Sequence, residues 1–159
     1  AHLGDVRVIE EVLPHLHDGV WHVRQSAVET LAHLAPKGSA AVAAALIPLL
    51  EDGEARVRTA VVESLCEVVH KGDASAIADV LARLEHLDGR VRCAAVSALA
   101  GITRKGDSSV MSSLAGHVED RHKGVCCAAV QVIAHVAEDG DPNAKAVVSS
   151  CLKDADPSV

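Results

Sequence analysis

The sequence predicts an all-α fold, a right-handed α-solenoid of stacked antiparallel helix pairs, and three observations predict it. Residue identity returns every 34 positions: Val23, Val57, Val91, Val125 and Val159 share one register, and Gly4, Gly38, Gly72, Gly106 and Gly140 share another. Apolar residues inside each unit recur at spacings of three and four, the pattern of a helix with one buried face. Finally, 49% of residues are apolar, yet Phe and Tyr are absent and Trp21 is the one Trp. Ala, Val and Leu suit thin, repeated helix-on-helix contacts, whereas a single thick core draws on aromatic rings to fill its wider gaps. Such a unit buries its apolar face only by stacking on its neighbours.

The register divides residues 1–159 into one array, with repeats at about 3–36, 37–70, 71–104 and 105–138 and a partial repeat at 139–159. The first helix of each unit is expected over 5–16, 39–50, 73–84, 107–118 and 141–152. Asp5, Ser39, Asp73, Asp107 and Asp141 stand at its start, where a side-chain oxygen accepts backbone N–H bonds. The glycine before each fits the left-handed position that closes the preceding helix. Pro14 and Pro48 fall inside this helix and are expected to kink it.

The second helix is expected over 20–36, 54–70, 88–104 and 122–138. Its apolar arc is Val23, Ala27, Val28, Leu31 and Leu34, then Val57, Val61, Val62, Leu65 and Val68 in the next unit. Ser26, Ala60, Ala94 and Ala128 are small enough to permit close helix approach.

The formal net charge of −7 opposes nucleic-acid binding, which needs a basic stripe to displace counterions, and aromatic stacking platforms are missing. The longest apolar run, 40–50, is too short for a bilayer and carries Pro48, so no membrane insertion is expected. Cys66, Cys93, Cys126, Cys127 and Cys151 are odd in number and form no CxxC pair, which fits reduced thiols in an intracellular, cytoplasmic setting. The chain opens on His2-Leu3-Gly4-Asp5, which reads as the tail of a previous repeat. It stops at Asp156-Pro157-Ser158-Val159, where a further second helix should begin. Neither end carries a polar capping unit, so the chain is expected to be a piece of a longer array or a larger complex.

The repeats read HVRQSAVETL, RVRTAVVESL, RVRCAAVSAL and GVCCAAVQVI. Leu16-His17-Asp18 leads to Val23-Arg24, and Leu50-Glu51-Asp52 leads to Val57-Arg58. A 34-residue helix pair first suggests tetratricopeptide repeats, but their Tyr and Phe are missing, as is the TPLH turn of ankyrin repeats. A short apolar helix ending in Asp, followed by VRxxAxxxL, resembles the HEAT-repeat family over the whole chain, including the short HEAT-like repeats of bilin lyases. The period is shorter than usual for HEAT repeats.

The resemblance implies a structural ladder running from repeat to repeat, in which Asp18, Asp52, Asp120 and Asp154 bond with Arg24, Arg58 and Arg92. His86 stands where the third Asp belongs and Cys126 where the fourth Arg belongs, so the ladder is expected to break at both. It also implies that the second helices line the concave face. The helical projection places His22, Gln25, Glu29 and His33 on the outward side of the first, and Arg56, Thr59, Glu63, Glu67 and His70 on the second. Arg90, Cys93, Ser97 and Arg104 follow, then Cys127, Gln131, His135 and Glu138. This row varies in sign between repeats while the core positions hardly change. A protein partner is expected on it, with His22, Glu29, His33, Arg56, Glu63, Glu67, Arg90, Ser97, Arg104, Gln131 and His135 as the contact candidates.

One turn row is acidic, with Glu51, Asp52, Glu54, Glu85, Asp88, Glu119, Asp120, Asp154 and Asp156. The other carries Lys37, Lys71 and Lys105 before changing to Glu138 and Asp139. His15, His17 and His22 with Asp18 match no zinc spacing. The His-Glu dipeptides by which the HEAT-like deoxyhypusine hydroxylases hold iron do not occur. By column, Cys127 stacks above Cys93, a repeat away and too far for a disulfide. No catalytic constellation, metal site or cofactor is expected. The reading is a non-catalytic protein–protein interaction scaffold; the alternative is a subunit of a bilin lyase-like enzyme or chromophore chaperone.

Overall fold

The structure, a computed structural model, describes residues 6–138. They form four helix pairs: α1 (Val6–Val12) with α2 (Trp21–Leu34), α3 (Ala40–Leu46) with α4 (Ala55–Val68), α5 (Ala74–Leu81) with α6 (Gly89–Ile102), and α7 (Ser108–Ala115) with α8 (Lys123–Val136). No strand occurs among the described residues. The second helix of each pair is 14 residues long. These helices pack on one another in sequence, α2 on α4, α4 on α6 and α6 on α8, and each first helix leans on its own partner. The result is an α-solenoid. The helix expected over 141–152 and the partial repeat at 139–159 lie outside the described residues.

The columns of the repeat are the core. Leu31, Leu65, Leu99 and Ile133 are fully buried, and so are Leu46, Val80 and Leu114 from the first helices. Ala60 and Ala94 sit buried at the helix contacts, as small residues there require; Ser26, expected to share that role, is exposed. Position 101 extends the same closeness, because a Cβ on Gly101 would run into Cys66 Sγ of α4.

The first helices depart from expectation. Three of the four, α1, α3 and α5, end a turn early and the chain continues as a tighter 3₁₀ segment, Leu13–His17, Ile47–Glu51 and Ala82–Glu85, while α7 runs into a turn at 116–119. Pro14 and Pro48 occupy the opening turn of that segment, where a missing N–H costs nothing. The third repeat makes the same break with Ala82 and no proline. Proline is thus tolerated at the break and does not cause it. What the repeats share is a buried leucine in the tightened segment, Leu16, Leu50 or Leu84.

The turn glycines have a different task from closing the helix before them. The second helices end at an extended residue, Ala35, Val69 or Thr103, well ahead of the glycine. The next four residues make a turn, with Ser39 N–H donating to Pro36 C=O and Asp73 N–H to His70 C=O. Gly38, Gly72 and Gly106 hold its third position at φ of 88°, 81° and 77°, the conformation a type II turn reserves for glycine. Their N–H groups then donate forward within the repeat they open, to the C=O of Val68, Ile102 and Val136 at 2.6, 2.7 and 2.7 Å. Those carbonyls are the last of α4, α6 and α8, which lack partners inside their own helices. Each turn therefore caps the second helix of the pair it opens. A side chain is excluded twice, by φ and by His70, Arg104 or Glu138 lying over the glycine. The first-helix caps form at Asp73 and Asp107, whose carboxylates accept from Ala76 and Val110 N–H; Ser39 makes no side-chain cap.

Candidate functional site

The turn inside each repeat positions two kinds of side chain, the charged pairs between repeats and the outward row of the second helix. Asp18, Asp52 and Asp120 each accept the backbone N–H two residues ahead, at Val20, Glu54 and His122. His86 does the same with Nδ1, accepting from Asp88 N–H at 3.0 Å. The local turn thus survives the loss of the carboxylate.

The arginines then reach both ways. Arg24 donates one nitrogen, Nη1, to Asp18 C=O in its own repeat and its Nε and Nη2 to both oxygens of Asp52 in the next, at 2.7 and 2.8 Å. Arg92 repeats the arrangement with His86 C=O and Asp120, at 2.7, 2.8 and 2.6 Å. The carboxylate lies 28 residues beyond its arginine. Arg58 keeps only the inward half, donating Nη1 to Asp52 and Gly53 C=O at 2.6 and 3.1 Å. At Cys126 the thiol takes over the inward bond, donating to Asp120 C=O at 2.7 Å. Asp154 lies outside the described residues.

These pairs have an electrostatic consequence. The Arg92 guanidinium, helped by His122 N–H and opposed by burial, holds the Asp120 carboxyl at about 2. Arg24 likewise lowers that of Asp52. A carboxyl whose folded pKa lies below its unfolded value of about 3.9 contributes stability that is complete above that value and vanishes as pH falls through the folded one. The melting-temperature gap between the parent and Asp120→Asn is therefore expected to narrow as pH is lowered from about 5 to about 2. A gap constant with pH in thermal denaturation would contradict the assignment.

Of the outward row, His22, Glu29, His33, Arg56, Glu63, Glu67, Arg90, Arg104, Gln131 and His135 are exposed, and Ser97 is half-buried. They do not converge on one pocket. Arg56 lies over the Trp21 ring at 5.2 Å, and Trp21 meets His22 edge-on. Gln25 donates to Glu29 Oε1 at 2.7 Å. Arg104 Nε donates to Lys71 C=O at 2.8 Å, which joins the row to the preceding turn. The acidic turn row is largely neutralised: Asp52, Asp88 and Asp120 are held by Arg24, Arg90 and Arg92, and Glu51 lies 3.2 Å from Arg83 Nε. Glu54, Glu85 and Glu119 remain exposed, with Glu85 3.6 Å from His117.

An open cleft of about 320 Å³ lies between α4 and α6, lined by Ala55, Arg58, Thr59, Val62, Arg90, Cys93, Ala94, Ser97 and His122. Sequence reading placed Arg90 and Ser97 on this side but missed Arg58 and His122 as cleft residues. The signal for Arg58 was present, since the ladder position 28 residues beyond it is His86 and not an aspartate. Burial pushes the Cys66 and Cys93 thiols up, away from nucleophilic use. Among the described residues no cluster of His, Cys, Asp and Glu has metal-binding geometry, and no helix is long and apolar enough to cross a membrane.

A family model described as HEAT repeats matches residues 1–66 and 43–134. No curated protein sequence matches the chain. Among solved structures, a designed armadillo repeat protein in complex with the peptide (KR)4 superposes with a TM-score of 0.55 at 19% identity, over 91% of this chain and 70% of that one. Two engineered proteins from a structural genomics consortium superpose at TM-scores of 0.53 and 0.51, with 17% and 20% identity. They cover 91% and 90% of this chain and 68% and 69% of theirs. The bilin lyase alternative gains no support from these matches.

Proposed function

The chain belongs to the HEAT-repeat family, and from that premise we propose that it is a non-catalytic protein–protein interaction scaffold whose partner, a protein, docks on the outward row of the second helices. One observation carries the reading: the buried columns repeat nearly unchanged, while the exposed positions above them change in charge and size. Leu65, Leu99 and Ile133 share one column, but His70, Arg104 and Glu138, five residues on and all exposed, share almost nothing. The designed armadillo repeat protein of similar fold, solved with a bound peptide, is consistent with a polypeptide-binding use of such a fold. The proposed array spans the repeats at about 3–36, 37–70, 71–104 and 105–138, with no nucleic-acid ligand, in an intracellular compartment suited to its free thiols.

The test is capture of a partner by the parent and by a triple variant, Glu63→Ala, Glu67→Ala and Arg104→Ala. All three side chains are exposed, so the fold is expected to tolerate the changes to within about 0.5 kcal/mol each. Partner retention is expected to fall at least about tenfold, equivalent to about 1.4 kcal/mol. Undiminished capture would move the interface off this row.

A further inference from the structure

We infer that Arg58 and the cleft it lines between α4 and α6 receive a carboxylate from the protein partner, an Asp or Glu side chain standing where this chain's own ladder carboxylate is missing. The inference rests on the scaffold reading above and names one anchor of that interface.

The structure contains its own controls. In the steps on either side, Arg24 and Arg92 present the planar Nε–Nη2 edge to a carboxylate, and both oxygens are engaged between 2.6 and 2.8 Å. Arg58 is held in the same pose by the same inward bonds to Asp52 and Gly53 C=O. Its Nε–Nη2 edge has no counterpart, because position 86 is histidine and the Nδ1 of that ring is already taken by Asp88 N–H. Among the described residues no carboxylate oxygen lies within ion-pair distance of Arg58.

Arg58 is nonetheless only 8% exposed. A guanidinium does not neutralise itself by losing a proton, so a largely buried one stays charged and favours a bonded anion. Asp52 and Asp88 lie within the field of Arg58, but their oxygens are already bonded, by Arg24 at 2.7–2.8 Å and by Arg90 at 2.7–3.1 Å. The other polar groups of the cleft do not compensate either. Thr59 and Ser97 donate their hydroxyl protons to Ala55 and Cys93 C=O, and His122 stands at the rim. The cleft therefore holds a fixed two-donor edge that opens onto its volume. A flat anion with two coplanar oxygens matches that edge by geometry as well as by charge. The neighbouring steps show that the anion this edge accepts in this protein is a carboxylate.

Acetate is the probe, in ¹⁵N-labelled protein observed through the arginine Nε–Hε resonances, with sodium chloride at matched ionic strength as reference. The Arg58 signal is expected to shift saturably with acetate, while Arg24 and Arg92, already engaged, stay in place. His86→Asp restores the ladder carboxylate from within and is expected to abolish the acetate response and to weaken partner capture at least about tenfold. Arg58→Lys keeps the charge but loses the two-donor edge, and is expected to weaken partner capture at least about tenfold. An Arg58 signal indifferent to acetate would overturn the inference, as would a response that survives His86→Asp. A larger response to inorganic phosphate than to acetate would overturn the carboxylate assignment. The titration contains no partner, so its failure leaves capture through Glu63, Glu67 and Arg104 to stand or fall separately.

Discussion

Replacing Arg92 by alanine is expected to lower stability by about 3–5 kcal/mol, the range for breaking a buried ion pair from one side. Asp120 would remain 7% exposed at its side chain with its two-pronged donor gone, and the turn carbonyls of His86 and Leu87 would lose their shared donor. Arg92→Lys keeps the charge without the planar fork and should cost less, about 1–2 kcal/mol. Arg58→Ala should also cost less than Arg92→Ala, because no buried carboxylate is stranded by it. Urea denaturation of the three variants checks the order. Equal losses at positions 58 and 92 would show that the pairing between repeats contributes nothing beyond the packed stem of the side chain.

The second large effect is expected in the core. Leu99 is fully buried in α6, the helix that packs on α4, α5 and α8 together. Leu99→Ala should cost about 2–5 kcal/mol, with the high end reached if the surrounding helices cannot close on the space. In a one-dimensional stack each repeat is held by its nearest neighbours. Hydrogen exchange should therefore accelerate most in α4, α6 and α8 and least in α2, which α6 does not help to hold. Uniform acceleration across all four second helices would instead indicate one undivided cooperative unit.

The second helices were the most legible part of the sequence. Two signals coincide there, the 3–4 apolar spacing and the 34-residue return, and the four helices start at Trp21, Ala55, Gly89 and Lys123 in that register. The break in the first helix was less legible, because Pro14 and Pro48 mark it in two repeats and Ala82 leaves it unmarked in a third. The turn glycines were found for an incomplete reason. Positive φ at Gly72 follows from local chemistry, but its bond to Ile102 C=O exists only once the helix pair that follows the turn has folded back on it.

The same limit applies to the charges. Asp18 and Asp52 are equally plausible partners of Arg24 on the page; the fold divides the guanidinium between the carbonyl of one and the carboxylate of the other. The acidic turn row illustrates it again. Asp52, Asp88 and Asp120 look like a negative ridge in one dimension, and each is bonded to an arginine in three. Exposure of the outward row, by contrast, follows directly from helical phase, since every position opposite the apolar arc has nowhere else to point.

Site-specific photo-crosslinking tests the central claim most directly. A benzophenone side chain is placed at position 63 or 67, on the outward row of α4, and at Asp79 or Ser112, exposed on the first helices α5 and α7. Partner adducts are expected from 63 and 67 and not from 79 or 112. Adducts confined to 79 and 112 would contradict the account, placing the partner on the first helices and leaving the varied row of the second helices without a role.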